Sequence, residues 1–433
     1  MTAPLRIALA GLGTVGAGVV RVLEANAELI ARRAGRSIEV SAVSARDRHK
    51  DREVDLSRFA WEDDTRALAE RGDVDVVVEL IGGSDGPALA LARGAFAAGK
   101  GLVTANKAML AHHGLELARA AEQAGVALRF EAAVAGGVPV VKGLREGAAA
   151  NRIGQVYGVL NGTCNFILSR MESEGRDFDE VLREAQAIGF AESDPSFDID
   201  GVDAGHKLAI LASLAFGTEP AFEDVALEGI RHVLGADIAE AAALGYRVRL
   251  LGIAETDALS AGGALFQRVH PCLVPISHPL AHVSGATNAV VAEGDFVGCL
   301  LFQGAGAGAG PTASAVVADL IDIARGNVGP PLSMPSDMLT RAVRMEPGER
   351  RGRAYLRFTV ADRVGVLAEI AAAMRDAGVS IESLIQRGAQ WDGSVLVAIV
   401  THEGPERCVT EALERLRGSQ SLAGRPMLMH ILD

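Results

Sequence analysis

The sequence predicts an α/β chain built in three successive parts: a doubly wound parallel sheet, an α+β domain with a mixed sheet, and a small ferredoxin-like βαββαβ unit. Three observations carry this. Apolar runs alternate with helical stretches through residues 5–134, as the strands and covering helices of a parallel sheet must. From Tyr246 the apolar runs are punctuated by Gly and Pro with few helices between them, which suits an antiparallel or mixed sheet flanked by helices. Residues 353–433 follow a Gly-, Pro- and charge-rich stretch and alternate strand, helix, strand, strand, helix, strand.

Composition sets the bounds. At 433 residues the chain is long enough for two or three cores. A net charge of −13 excludes a nucleic-acid binder that depends on basic patches. Cys164, Cys272, Cys299 and Cys408 are far apart, fit no metal spacing or disulfide framework, and imply a reducing compartment. The opening MTAPLRIALAGLG enters a strand without a charged, apolar and cleavable leader, and no uninterrupted apolar run reaches membrane length. The expectation is a cytoplasmic protein with no membrane and no nucleic-acid partner.

The first strand, Leu5–Ala10, leads directly into Gly11-Leu12-Gly13-Thr14-Val15-Gly16, then a helical segment to about Arg33 with Val15, Val19, Val22 and Leu23 on one face. A G-x-G-x-x-G between strand and helix is the Rossmann-type dinucleotide loop. Gly11 permits the tight turn, Gly13 lets backbone approach a pyrophosphate, and Gly16 lets helix and strand pack closely. Thr14 and Val15 open the helix, whose free N–H groups and partial positive charge attract phosphate. The second strand, Ile38–Val43, ends in Ser44-Ala45-Arg46-Asp47-Arg48-His49-Lys50 instead of the acidic residue that binds NAD ribose. Arg46, Arg48 and Lys50 suit a 2′-phosphate, a lean towards NADP that leaves NAD open, since solvated loop charges explain them equally simply. Val74–Leu80 is a buried strand followed by Ile81-Gly82-Gly83 at the ligand edge. The next unit reads Gly101-Leu102-Val103, Thr104-Ala105-Asn106-Lys107 and a helix to about Ala124, putting Lys107 on the same edge. Ala127–Val134 is expected to be a further strand, broken by Gly136-Gly137-Val138-Pro139.

Past Gly143, a strand over Val156–Leu160 runs through Asn161-Gly162-Thr163-Cys164-Asn165 into a helix starting near Phe166. GFAESDPSFDIDGVDAGHKLAILASL, residues 189–214, then joins an acidic loop to an apolar helix. Glu192, Asp194, Asp198 and Asp200 crowd around Pro195. On the helix, Asp203 and Lys207 are four apart and share a face. A surface ion pair is the plain alternative, but HKLAILASLAF is too apolar for a solvated helix, and a partly buried lysine beside a carboxylate can act as acid or base. The frame of a calcium loop is absent. A second Gly-rich loop, Gly304 to Gly310, precedes the helix SAVVADLIDIAR and either approaches a ligand backbone-first at Gly306 or serves as a flexible connector.

GLGTVG, TANKAML, EAAVAGGVPV, LNGTCNFIL, GFAESDPSFDIDGVDAGHKLAILA and GAGAGPTASAVVAD occur here in the order seen in homoserine dehydrogenase, over about residues 5–330. The tail, with VADRVGVL at 360–367, resembles an ACT-type amino-acid-sensing domain. No room precedes Leu5 for an aspartokinase, so a monofunctional chain is expected. The resemblance implies residues 1–135 as the dinucleotide-binding domain, completed by a helix at about 311–326, and residues 136–310 as the substrate, catalytic and dimerisation domain. Residues 327–352 form a linker, and residues 353–433 an ACT-type domain. It implies reversible NAD(P)-dependent interconversion of L-homoserine and L-aspartate 4-semialdehyde. Lys207, Asp203 and Lys107 match catalytic positions. Gly11, Gly13, Thr14, Val15, Gly16, Arg46, Gly82, Thr104, Lys107 and Gly306 are expected on the cofactor. Glu192, Asp198, Gly162 and Thr163 match the substrate pocket with both lysines. Glu131, Val134, Gly136 and Val138 match positions that hold a monovalent cation, Na+ or K+, largely through carbonyls. Phe197 and Phe190 depart from some members, which have Asp and Tyr there. Threonine is the expected effector, although Ser380 stands where many ACT domains have Asn. The loop Asp362–Gly365 and the strand at Val379–Ile381 are its expected edge, and a homodimer or homotetramer is expected.

The residue chemistry agrees. Glu192 and Asp198 suit an α-ammonium, lysines suit a carboxylate and a developing alkoxide, and a nicotinamide leaves the protein one proton to manage. Another amino-acid semialdehyde oxidoreductase, or a nucleotide- and amino-acid-binding sensor without catalysis, are the alternatives.

Overall fold

The computed structural model describes residues 3–256, 263–387 and 394–432. The apolar runs of the first part pair, in parallel, into one sheet in the order Ala60–Trp61, Ile38–Ser44, Leu5–Ala10, Val76–Glu79, Gly101–Thr104, Leu128–Arg129. Strand Val76–Glu79 is buried throughout, as a strand covered on both faces must be. The helix Ala309–Ala324, far along the chain, packs on Thr14–Ala25. Gly18 permits this, since a Cβ there would lie 2.7 Å from the Ala309 carbonyl oxygen. Leu5, Ile7, Val19, Val316 and Leu320 share the resulting core.

Two expectations for this first part need correction. The long first helix is two, Thr14–Ala25 and Ala27–Ala34, because Asn26 leaves helical geometry at φ −116°, ψ 22°. The strand expected over Ala127–Val134 is only Leu128–Arg129, followed by a 3-10 turn at Glu131–Ala133. The Glu131 N–H donates to the Asp319 carboxylate at 2.8 Å instead of to a neighbouring strand, which turns the chain inward.

The middle part is an antiparallel sheet, Gly298–Ala305, Thr287–Gly294, Ile153–Val159, Tyr246–Thr256 and Ala264–Pro275. The helix Val202–Phe216 packs against it and is buried from Asp203 through Leu214, its charged pair included.

The C-terminal βαββαβ unit comprises Ala354–Ala361, Val366–Asp376, Ile381–Arg387, Ser394–Thr401, Glu406–Arg415 and Met427–Ile431. Its last strand pairs antiparallel with Ala354–Ala361 and parallel with Ala264–Pro275, fusing the two sheets. The connecting stretch is pinned on the way: Val343–Arg344 pairs with Ala264–Leu265, and Thr218 bridges Thr340. Among the described residues no helix is long and apolar enough to cross a membrane.

Candidate active site

The dinucleotide loop has the shape its glycines predict. Gly11 sits at φ +101°, where a Cβ would meet the Leu80 carbonyl oxygen at 2.6 Å, and a Cβ on Gly16 would lie 2.1 Å from the Gly11 oxygen. Gly13 caps the helix and has open space on its Cβ side. A tight turn with one open flank at a helix N-terminus fits a pyrophosphate.

Beside it, Arg52 fastens the loop after the second strand. Its guanidinium donates to the carbonyls of Leu12 at 2.8 Å, Lys50 at 2.7 Å and Asp47 at 2.5 Å. Arg48 and Arg52 lie 5.6 and 6.0 Å from the Trp61 ring centroid. Arg46 is exposed and makes no hydrogen bond or ion pair among the described residues. At the neighbouring strand end, the buried Glu79 carboxylate accepts the N–H groups of Ile81 and Gly82 at 2.7 and 3.1 Å. It also accepts the Thr104 hydroxyl at 2.5 Å. Thr104 is fully buried and its oxygen accepts the Asn106 N–H, so its side chain shapes the edge instead of facing a ligand. Gly82, at φ +87° with nothing in its Cβ direction, is the open part.

Two ammoniums meet one carboxylate on the helices Lys107–Ala124 and Val202–Phe216. Gly201 at φ +86° starts the helix that carries Asp203 and Lys207. Lys207 Nζ donates to Asp203 Oδ2 and to the Leu160 carbonyl, both at 2.7 Å. Lys107 Nζ, at the start of the helix Lys107–Ala124, lies 3.2 Å from Asp203 Oδ1 and 5.7 Å over the Phe197 ring. Burial alone would raise the Asp203 carboxyl, but the two ammoniums and the donations from Lys207 and Asn161 overrule it and hold it well below the usual range. A carboxylate and ammonium buried together gain little net stability, because desolvation offsets their attraction. The Lys207 side chain is 10% exposed and that of Lys107 32%, so Lys107 is the more accessible of the two.

Asn161 ties this cluster to the substrate loop. Its Oδ1 accepts the Cys164 N–H at 2.7 Å, capping the helix Gly162–Glu174, which starts four residues earlier than expected. Its Nδ2 donates to Asp198 and to Asp203, each at 2.8 Å. Thr163 donates to the other Asp198 oxygen at 2.9 Å. Gly162 presses on the Ala286 backbone, where a Cβ would meet an oxygen at 3.1 Å. Asp198 is therefore oriented and Glu192 is not: Glu192 is exposed, and its carboxylate makes no hydrogen bond or ion pair among the described residues. Behind Asp203, His206 packs edge-on or tilted against His112, Phe197 and Phe222, and burial followed by His112 pushes it down to about 4.

The turn after the 3-10 helix carries Ala135 and Gly136, both at φ +56°. The Glu131 carboxylate accepts the N–H groups of Val141 and Lys142 at 2.9 Å each, and burial with the adjacent Asp319 pushes it up to about 7. The carbonyls of Val134 and Gly136 accept no hydrogen bond among the described residues, while that of Val138 takes the Val140 N–H at 2.8 Å. A cation here would rest on main-chain oxygens.

Asn161, Glu79 and Arg52 escaped the sequence reading. Each acts through a partner distant in sequence, and only the Asn161 position next to a helix start gave a local signal.

Hydride chemistry on a small charged alcohol or carbonyl is what a dinucleotide loop on the same sheet edge as Lys107, which shares a carboxylate with Lys207, serves, so the class is a nicotinamide-dependent oxidoreductase. Comparison with known proteins narrows it. The family model described as homoserine dehydrogenase, NAD binding domain, matches residues 11–131, that of homoserine dehydrogenase residues 139–321, and that of the ACT domain residues 354–418. Homoserine dehydrogenase of Pseudomonas aeruginosa is 45% identical over 97% of both chains, and that of Neisseria gonorrhoeae 46% identical over 95% of this chain and 94% of its own. The crystal structure of a homoserine dehydrogenase from Thiobacillus denitrificans superposes with a TM-score of 0.93 at 42% identity, over 100% of this chain and 99% of that one. A hyperthermophilic archaeal homoserine dehydrogenase in complex with NADPH gives 0.63 at 28% identity, over 74% of this chain and 97% of that one. The chain belongs to the homoserine dehydrogenase family, the enzymes that interconvert L-homoserine and L-aspartate 4-semialdehyde on the route to threonine and methionine, and it carries the family's dinucleotide-binding domain and an ACT domain.

Proposed function

We propose that Lys207 moves the proton of this reaction, oriented by Asp203, with Lys107 holding the reacting oxygen. The observation that carries this is the single buried carboxylate contacting both ammoniums. A bound nicotinamide dinucleotide supplies the hydride to the aldehyde carbon or receives it from the alcohol. In oxidation, neutral Lys207 takes the hydroxyl proton; in reduction, its ammonium returns it. Asp198, fixed by Thr163 and Asn161, faces the substrate α-ammonium, with the exposed Glu192 as a second carboxylate for it.

The dinucleotide rests on Gly11, Gly13, Thr14, Val15 and Gly16, with Gly82 and Gly306 along its path. NADP is the favoured form, with Arg46, Arg48 and Lys50 around its 2′-phosphate; the Arg52 clamp, which fastens their loop, and the NADPH complex of the archaeal relative support this. Na+ or K+ sits on the carbonyls of Glu131, Val134, Gly136 and Val138, and exchanging it for choline lowers activity in a salt-substitution assay. Threonine binds the C-terminal unit in a cleft of about 230 Å³ between residues 360–368 and Gln386, Val395 and Val397. The expected loop Asp362–Gly365 lines this cleft, and Val379–Ile381, expected on the same edge, does not. The exposed apolar edge strand Gly298–Ala305, with Phe296 89% exposed just before it, supports a homodimer or homotetramer. The reaction runs in the cytoplasm.

The test is oxidation of L-homoserine followed by reduced-nicotinamide absorbance, with NAD and NADP in parallel and threonine titrated. Turnover that favours NADP and falls with threonine is expected. Equal use of both cofactors would overturn the 2′-phosphate reading, and indifference to threonine would overturn the effector.

A further inference from the structure

Lys207 shares the Leu160 carbonyl with a second donor. Asn288 Nδ2 donates to it at 2.9 Å, alongside Lys207 Nζ at 2.7 Å. The register explains the meeting. Val159 pairs with Ala289, so Leu160, one residue past its strand, falls beside Asn288 at the start of the adjacent one. Asn288 is only 1% exposed, yet its Oδ1 has no hydrogen-bond partner among the described residues. That oxygen lies against Gly306, where a Cβ would approach it to 2.0 Å. Only glycine fits there, and the fit leaves the amide little room to turn.

A buried amide with one end unsatisfied is a poor stabilising device, and such groups call for a functional explanation. We propose that Asn288 is a positioning residue for Lys207, acting through the Leu160 carbonyl. The proposal rests on Lys207 as the proton carrier. An ammonium has three donors. Asp203 and Leu160 take two, which leaves one for the substrate oxygen. When Lys207 has given up its proton, the amine has two hydrogens for three acceptors. Asn288 keeps the Leu160 oxygen satisfied at that moment, so the buried carbonyl does not draw the amine out of line. Because the same amide is wedged against Gly306 in the second Gly-rich loop, it also holds that loop in register with the lysine.

The experiment compares Asn288→Leu, similar in volume and without a donor, with the wild-type enzyme in homoserine oxidation. By the scale of losses from slight misplacement of a reacting group, kcat should fall about 10- to 100-fold while both KM values stay within about twofold. The solvent isotope effect on kcat should rise as proton transfer becomes limiting. If Asn288→Leu does not fold, Asn288→Ala provides the same readout. Wild-type kcat, or a loss accompanied by raised KM values and an unchanged isotope effect, overturns the proposal. A Lys207→Met control separates the two levels: retained turnover there overturns the underlying reading, whereas its loss beside an unimpaired Asn288→Leu overturns the role of Asn288 alone.

Discussion

His206 is adjacent in sequence to Lys207 and illustrates how burial sets charge at single residues. Burial and the nearby His112 push it to about 4, while in the unfolded chain it titrates near 6.5. Between those values the unfolded state binds one more proton, so stability fully present above pH 6.5 is lost as the pH falls towards 4. His206→Asn removes this loss. The wild-type advantage in urea unfolding midpoint should therefore shrink as the pH is lowered through that window, and a constant difference would contradict it. Little of this was visible in the sequence. Asp203 and Lys207 could be paired because four residues on a helix place them together, but His112 and Phe222 reach His206 only through packing of separate elements. Glu192 shows the converse: an acidic residue close to Asp198 in sequence, yet left outside the network that holds Asp198.

At the scale of elements, the strand, glycine loop and helix at residues 5–25 were the most legible part, because each glycine answers a local backbone requirement. Gly13 and Gly16 should respond differently to alanine. Gly16→Ala drives a Cβ to 2.1 Å from the Gly11 oxygen and should lower the melting temperature without any ligand. Gly13→Ala meets no protein atom, so the free enzyme should melt as wild type while the KM for the dinucleotide rises more than 10-fold, as crowding of a pyrophosphate predicts. Equal effects in the two variants would mean that the open flank of Gly13 is not the phosphate site. The short strand at Leu128–Arg129 was less legible. Its apolar continuation reads as strand, and only the distant Asp319 turns it into a 3-10 helix.

For the whole molecule, the fold class followed from alternation and periodicity, but the fusion of the two later sheets did not, since parallel pairing of residues 272–273 with 430–431 leaves no local mark. Buried charges reinforce that junction. Arg268 donates to Glu406 at 2.8 and 3.1 Å, Arg350 bridges Glu406 and Glu255, and Arg357 meets Asp237 at 2.5 Å. Removing residues from about 350 onward would take Glu406 from the buried Arg268 and Arg357 from the buried Asp237, so a truncated enzyme should be unstable instead of merely deregulated. Arg268→Met, which removes one of the cations on a buried carboxylate, should cost about 3 kcal/mol in chemical denaturation. No loss would show that the C-terminal unit docks only loosely. The most direct measurement of the role proposed for Lys207 is homoserine oxidation by Lys207→Met alongside direct titration of NADP binding. A fall in kcat of about 10²- to 10⁴-fold with unchanged cofactor affinity is the expected result, by the usual contribution of a general acid–base group. Near-wild-type turnover would contradict the assignment of the proton to Lys207.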